Sequence, residues 1–209
     1  MNITSDALLT DLYELTMAQA YLAQGMTDIA VFEFFVRKLP PQRNFFMAAG
    51  LEQVVSYLEE FQFSDADIAW LDQTGGFSPA SLNALRAMRF TGEVHAMPEG
   101  SLFFPHEPIL RITAPLPQAQ LVETRVMNLL NFQTMVASKA CRSVLVAGDK
   151  PLIDFGLRRA HGAEAGLLAA RAAYLAGLAG TSNVSAGARF GIPIYGTMAH
   201  SFVQAHLDE

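Results

Sequence analysis

One cysteine, Cys141, occurs in 209 residues, so the chain holds no internal disulfide framework and suits a reducing, cytoplasmic setting. Charge is sparse too: Asp, Glu, Lys and Arg make up 16% of the residues. The acidic side leads, with a net charge of −6 and a pI near 5.3, which excludes nucleic-acid binding through a general basic surface. Small anions stay within reach of two local clusters, Arg37 with Lys38 and Arg43, and Arg158 with Arg159. Long apolar runs are missing as well. The most apolar stretch, Gly166 to Gly180, is interrupted by Arg171 and does not reach the roughly 18 uncharged apolar residues of a membrane helix. The opening residues, Met-Asn-Ile-Thr-Ser-Asp, lack the basic and then apolar segments of a secretory leader. Neither a P-loop nor a G-x-G-x-x-G occurs.

What is abundant is apolar side chain, 51% of the total, and the mean hydropathy is +0.24. Without a membrane span, that excess predicts faces buried against a partner chain or against further sequence.

The pattern along the chain changes once. Leu8 to Gln24 reads as an amphipathic helix with Ser5 or Asp6 as cap and Gly25 as terminator. Asp28 to Lys38 reads as a strand. Helices follow at 51–61, 65–73 and 81–88, with Ser64 and Ser78 as N-caps for the last two. Strands at 93–97 and 109–113 precede one long helix from Gln118 to about Val146. This part reads as an α+β domain, residues 1–147.

After Gly148-Asp149 the units shorten. Leu152–Phe155, the end at Gly180–Asn183, and Ile192–Thr197 read as strands. Helices are expected at 163–178, at 185–190 and from Ser201. Three strand–helix units in roughly 60 residues predict parallel βαβ connections, hence an open α/β sheet or a barrel. Such folds carry their chemistry at the C-terminal ends of strands. Here those ends are Asp154-Phe-Gly-Leu-Arg158, Gly180-Thr-Ser-Asn183 and Gly196-Thr-Met-Ala-His200. Glycines and hydroxyls beside helix N-termini seat anions, and Arg158 adds a planar guanidinium suited to carboxylate or phosphate. Phe155 is either a flat face for an aromatic ligand or ordinary core. His200 is a general base, a metal ligand, a nucleophile or a structural residue at a helix start. Zinc has little support, because the spacing of His200 and His206 is not the i, i+4 pair of a helical site. The residues by themselves stop at an α/β enzyme handling a small anionic ligand.

Seven blocks in order go further. They are Leu9-Thr-Asp-Leu-Tyr-Glu-Leu-Thr-Met17, Phe32-Glu-Phe-Phe-Val-Arg-Lys38, Gly50-Leu-Glu52, Pro98-Glu-Gly100, Asp154-Phe-Gly-Leu-Arg-Arg159, Gly180-Thr-Ser-Asn183 and Gly196-Thr-Met-Ala-His-Ser201. Together they resemble the nicotinate phosphoribosyltransferase family, over nearly the whole of this chain but only about the first half of the family's. The resemblance implies an N-terminal α+β domain. The first strands and helices of an incomplete type II phosphoribosyltransferase (β/α) barrel follow it over residues 148–209, so the chain taken alone is expected to be inactive. It implies transfer of phosphoribosyl from phosphoribosyl pyrophosphate to nicotinate, giving nicotinate mononucleotide for NAD biosynthesis. ATP and Mg2+ act as co-substrates, and there is no prosthetic group or resident metal.

Residue by residue, the resemblance makes His200 the phosphorylated histidine and stacks Phe155 on nicotinate. Tyr13 comes to the other face from a neighbouring subunit, which implies a head-to-tail homodimer. Arg158, Thr181 and Ser182 fall in the substrate site, and Arg37 and Thr197 among the phosphate contacts. Ser182 stands where nicotinamide-using relatives carry aspartate. A hydroxyl there donates to the nicotinate carboxylate that an aspartate would repel. Membrane and nucleic acid are not implied as partners. Quinolinate phosphoribosyltransferase fits less well, since the Asp-Leu-Tyr-Glu-Leu-Thr block and the Ala-His-Ser corner argue against it. A non-catalytic or partner-completed binding or oligomerisation module derived from the family is the other reading.

Overall fold

The computed structural model describes residues 6–206, which divide into two compact units, one up to Met135 and one from Val136 onward. The division falls inside the long helix that the sequence pattern predicts, not after it.

In the first unit, helix α1 spans Leu12–Ala23 and buries Glu14, Leu15 and Ala18 on one stripe. It begins at Leu12 rather than Leu8, because Asp6 Oδ1 accepts from the Leu8 N–H at 2.9 Å and holds those residues in a turn. Ser5, the other expected cap, lies outside the described residues. Strands β1 (Ile29–Phe34), β3 (Glu93–Ala96) and β5 (Leu110–Pro115) form an antiparallel sheet in the order β1-β5-β3. Phe32 pairs with Ile112, and Phe34 with Leu110, on its inward face. A second ladder, absent from the sequence reading, joins β2 (Phe46–Met47) to β4 (Leu102–Phe103). Two residues per strand leave no alternation to read; the Phe46 and Phe103 rings, 5.5 Å apart, hold it together.

Helices α2 (Leu51–Glu59), α3 (Asp65–Gln73) and α4 (Pro79–Ala87) follow their local signals closely. Ser64 and Asp67 close a reciprocal capping box on α3, and the Ser78 hydroxyl accepts from Ser81 N–H on α4. The expected single helix from Gln118 is two, α5 (Leu116–Leu121) and α6 (Glu123–Ala147). The division falls where a side chain of α1 enters: the Thr124 N–H donates to Glu14 Oε1 at 3.2 Å.

The second unit contains β6 (Ile153–Asp154), a 3-10 turn (Leu157–Arg159), α7 (Ala163–Leu175), β7 (Gly180–Thr181), α8 (Val184–Phe190) and α9 (His200–Gln204). Strands β6 and β7 are parallel, pairing Ile153 with Gly180 and Asp154 with Thr181. The expected third strand, Ile192–Thr197, is reduced to a parallel bridge between Thr181 and Ile194. Its two hydrogen bonds flank that residue, Thr181 N–H to the Pro193 carbonyl at 3.0 Å and Tyr195 N–H to the Thr181 carbonyl at 2.9 Å. Proline at 193 has no N–H to extend the ladder. Two small residues admit this segment. A Cβ on Gly180 would collide with the Pro193 carbonyl and lie 2.6 Å from Tyr195 Cε2, and one on Gly187 would meet Ile194 Cγ2. The result is a mixed α/β fold with two successive parallel crossovers.

Candidate active site

The paired ends of β6 and β7 are tied through Asp154. Its backbone carbonyl accepts from Ser182 N–H at 2.8 Å. Its Oδ1 accepts from Gly156 N–H at 2.9 Å, and its Oδ2 from the Thr181 hydroxyl at 2.8 Å. The Gly156 bond closes the turn that carries Phe155, and the Thr181 bond fixes that turn to the neighbouring strand. Thr181 has no exposed surface, and its oxygen also accepts from Asn183 N–H at 3.0 Å. Its donor and one acceptor position are therefore committed within the chain. Asn183 in turn caps α8, Oδ1 accepting from Ala186 N–H at 3.1 Å, and its amide donates to the Gly166 carbonyl.

Around this fixed frame the candidate ligand groups are open. Phe155 is 49% exposed. Arg158 stands exposed on the 3-10 turn, and Ser182 is half-buried beside the end of β7. Phe155, Arg158, Thr181 and Ser182 thus belong to one connected pair of strand ends. Thr197 and His200 lie beyond the Ile194 bridge, both exposed, with His200 the first residue of α9. No hydrogen-bond partner reaches the His200 ring among the described residues, whereas His206 Nδ1 lies 2.7 Å from the Phe202 carbonyl. No group of three or more His, Cys, Asp or Glu side chains among the described residues could hold a metal ion.

Tyr13 and Arg37 lie in the first unit. Tyr13 is 48% exposed, yet its hydroxyl donates to Glu14 Oε1 at 3.2 Å. Glu14 itself is wholly buried. Its Oε2 accepts from the Thr10 hydroxyl at 2.8 Å, and its Oε1 from the Thr124 hydroxyl at 2.7 Å and the Thr124 N–H. Burial raises the Glu14 carboxyl above its ordinary 4.5, against the pull of its hydroxyl donors. Tyr57, 1% exposed and without a hydrogen-bond partner for its hydroxyl among the described residues, is raised as well, through burial first and the Glu14 charge second. Arg37 is exposed at the rim of a cavity of about 380 Å³ walled by Phe32, Phe34, Ile112, Val126 and Met127.

Sequence reasoning missed Asp154, Asn183 and Glu14 as organisers. Signals existed for two of them. Asn183 sits directly before a helix, and Glu14 occupies the stripe shared by Leu15 and Ala18, where a carboxylate must find donors.

The chain is similar to known proteins along both of its units. Residues 8–131 match the nicotinate phosphoribosyltransferase (NAPRTase) N-terminal domain, and residues 151–208 match the nicotinate phosphoribosyltransferase (NAPRTase) family. A nicotinate phosphoribosyltransferase of Mycobacterium tuberculosis is 55% identical over 199 residues, covering 95% of this chain and 43% of the relative. That of Bacillus subtilis is 46% identical over 204 residues, covering 97% of this chain and 42% of the relative. The crystal structure of human nicotinic acid phosphoribosyltransferase is similar with a TM-score of 0.86 and 43% identity, over 94% of this chain and 40% of that one. Nicotinate-nucleotide pyrophosphorylase from Pyrococcus furiosus gives a TM-score of 0.78 at 25% identity, over 97% of this chain and 44% of that one. The chain thus spans about two fifths of the length of these relatives. Matched along both of its units, the chain belongs to the nicotinate phosphoribosyltransferase family.

Proposed function

We propose that this chain carries the base-binding and phosphohistidine segments of an ATP-coupled nicotinate phosphoribosyltransferase, and that its second unit is the opening of the family's (β/α) barrel. The observation that carries the reading is the Asp154 tie between β6 and β7, which holds the Phe155–Arg158 turn at one end and the Ser182 backbone at the other. A flat ring, a guanidinium and a hydroxyl on one rigid frame match a planar aromatic acid. Phe155 faces the pyridine ring, and Arg158 and Ser182 donate to charged oxygens. Thr181 serves the same site from behind, through Asp154 and Asn183.

The ring nitrogen of nicotinate displaces pyrophosphate from the anomeric carbon of phosphoribosyl pyrophosphate. The site's part in that step is alignment of the two substrates and neutralisation of phosphate charge. Thr197, and Arg37 from a second copy in a head-to-tail dimer, serve the phosphates, while Tyr13 of that copy covers the open face of the base. His200 takes the γ-phosphoryl group of ATP: a neutral ring nitrogen attacks phosphorus, a P–N bond forms, and ADP leaves. Mg2+ arrives as the ATP complex. The substrates and the lone buried Cys141 suit the cytoplasm.

The test uses the active enzyme carrying this sequence. Incubation with γ-labelled ATP should leave an acid-labile phosphate on the protein, and His200→Ala should abolish it. The variant should also lose ATP stimulation while keeping slow ATP-independent transfer. A His200→Ala protein that still forms the acid-labile phosphoenzyme rules the assignment out.

A further inference from the structure

The Tyr13 side chain combines two properties that rarely coincide. About half of its surface is open, and its hydroxyl is fastened at 3.2 Å to a carboxylate with no exposed surface at all. An exposed tyrosine ordinarily samples several rotamers, and ordering it costs conformational entropy. Here the far end of the ring is tethered while much of the ring stays free.

The tether is itself fixed from three directions. Glu14 accepts from Thr10 one turn before it on the chain, from Tyr13, and from both the hydroxyl and the N–H of Thr124 at the start of α6. Asp11 Oδ2 lies 2.9 Å from the same Thr124 hydroxyl. That hydroxyl has one proton to give, and the shorter distance, 2.7 Å, is to Glu14. Hydrogen bonds to an ionised acceptor are shorter and stronger than neutral ones. The clamp therefore joins the first turn of α1 to the N-terminus of α6 and sets the direction of the Tyr13 ring.

We propose that Glu14 is a positioning residue for base recognition: through the Tyr13 hydroxyl it holds the exposed ring ready to stack on nicotinate, so that binding does not have to order it. This rests on the reading that Tyr13 covers the base. Glu14 touches no substrate; it acts through Tyr13 alone. Preorganisation of this kind lowers the concentration of nicotinate needed and leaves the chemical step unchanged.

Four single variants and one double variant of the active enzyme carrying this sequence separate the possibilities. Tyr13→Leu removes the ring, Tyr13→Phe only the tether, Glu14→Ala the clamp, and Glu14→Gln keeps one acceptor oxygen toward Tyr13 and Thr124. The expected result is a rise in KM for nicotinate of about tenfold in Tyr13→Phe and Glu14→Ala with kcat retained, the size expected for one lost hydrogen bond. The double variant Tyr13→Phe/Glu14→Ala should be no worse than either single one, Glu14→Gln should restore near-native KM, and Tyr13→Leu should be worse than Tyr13→Phe. Unchanged KM in Tyr13→Phe, beside a large rise in Tyr13→Leu, overturns the positioning role and leaves the stacking role standing. Unchanged KM in Tyr13→Leu overturns the stacking role and the inference with it. Should Glu14→Ala fail to fold, Tyr13→Phe decides the matter, because it removes one oxygen from a half-exposed side chain.

Discussion

The Thr181 hydroxyl donates to Asp154 Oδ2 at 2.8 Å while accepting from Asn183 N–H at 3.0 Å, so one buried oxygen links the end of β6 to the cap of α8. Thr181→Val keeps the shape and removes both bonds, leaving a buried N–H and a carboxylate oxygen without this partner. The expected loss is ~1–3 kcal/mol of unfolding free energy, read by urea denaturation. Thr181→Ser, which keeps the oxygen, should recover most of it. Equal losses for Val and Ser would show that the methyl group, not the hydroxyl, matters.

At Gly180 in β7, the Pro193 carbonyl and the Tyr195 ring both lie within 3 Å of where a Cβ would sit. Gly180→Ala should push the 193–195 segment away from β7, at a cost on the order of 1–3 kcal/mol as overpacking. Amide hydrogen exchange is the direct measurement, and the Thr181 and Tyr195 N–H groups should lose protection first. Unaltered protection at both would mean that the segment accommodates the methyl group.

Ser182 lies beside the end of β7 with its N–H used by the Asp154 carbonyl, and the proposed reading gives its hydroxyl to the nicotinate carboxylate. In the active enzyme, Ser182→Asp should weaken nicotinate by ~1–3 kcal/mol, about 10- to 100-fold. Nicotinamide should lose much less, because its NH2 donates to a carboxylate. Parallel loss for the acid and the amide would show that Ser182 does not read the charged group.

Glu14 gives a pH dependence of unusual sign. Its carboxyl is raised above 4.5 in the folded chain, by burial first and with Glu123 adding to it, while Thr124, Thr10 and Tyr13 act the other way. Between the unfolded and folded values the native state binds more proton than the unfolded one, so stability falls as pH rises. The contribution is fully present below about 4.5 and is lost as pH passes through the raised folded value. Against Glu14→Gln, which does not titrate, the native chain should gain in melting temperature on moving from neutral pH down to about 4.5. A difference that stays flat all the way down to 4.5, or that grows toward neutral pH, would contradict the raised carboxyl.

What the sequence made legible was local. Ser64 and Ser78 announce their helices because a cap needs only the next three residues. The alternation in β1 and β5 is visible because one face of the sheet is buried. The β2–β4 ladder is invisible by the same logic, since two residues make no period. The break between α5 and α6 could not be read from residues 116–147, because the group that meets it, Glu14, arrives from α1. At the site, the strand-end motifs named Phe155, Arg158, Ser182 and His200 as candidate ligand groups. The Thr181 hydroxyl looked equally available, and only its bonds to Asp154 and Asn183 show that it is engaged inside.

The parallel row of the second unit has a kinetic side. Asp154 and Thr181 are 27 residues apart along the chain, so their pairing must wait until the intervening segment has closed a loop, whereas α7 and α8 can form from neighbours alone. During that interval the residues that α7 finally buries, among them Leu168, Ala170, Ala172 and Ala173, have nothing to cover them. Refolding of this unit should therefore slow with temperature-dependent curvature rather than simple Arrhenius behaviour, and its yield should fall as protein concentration rises, since an uncovered helix face finds another chain sooner when chains are crowded.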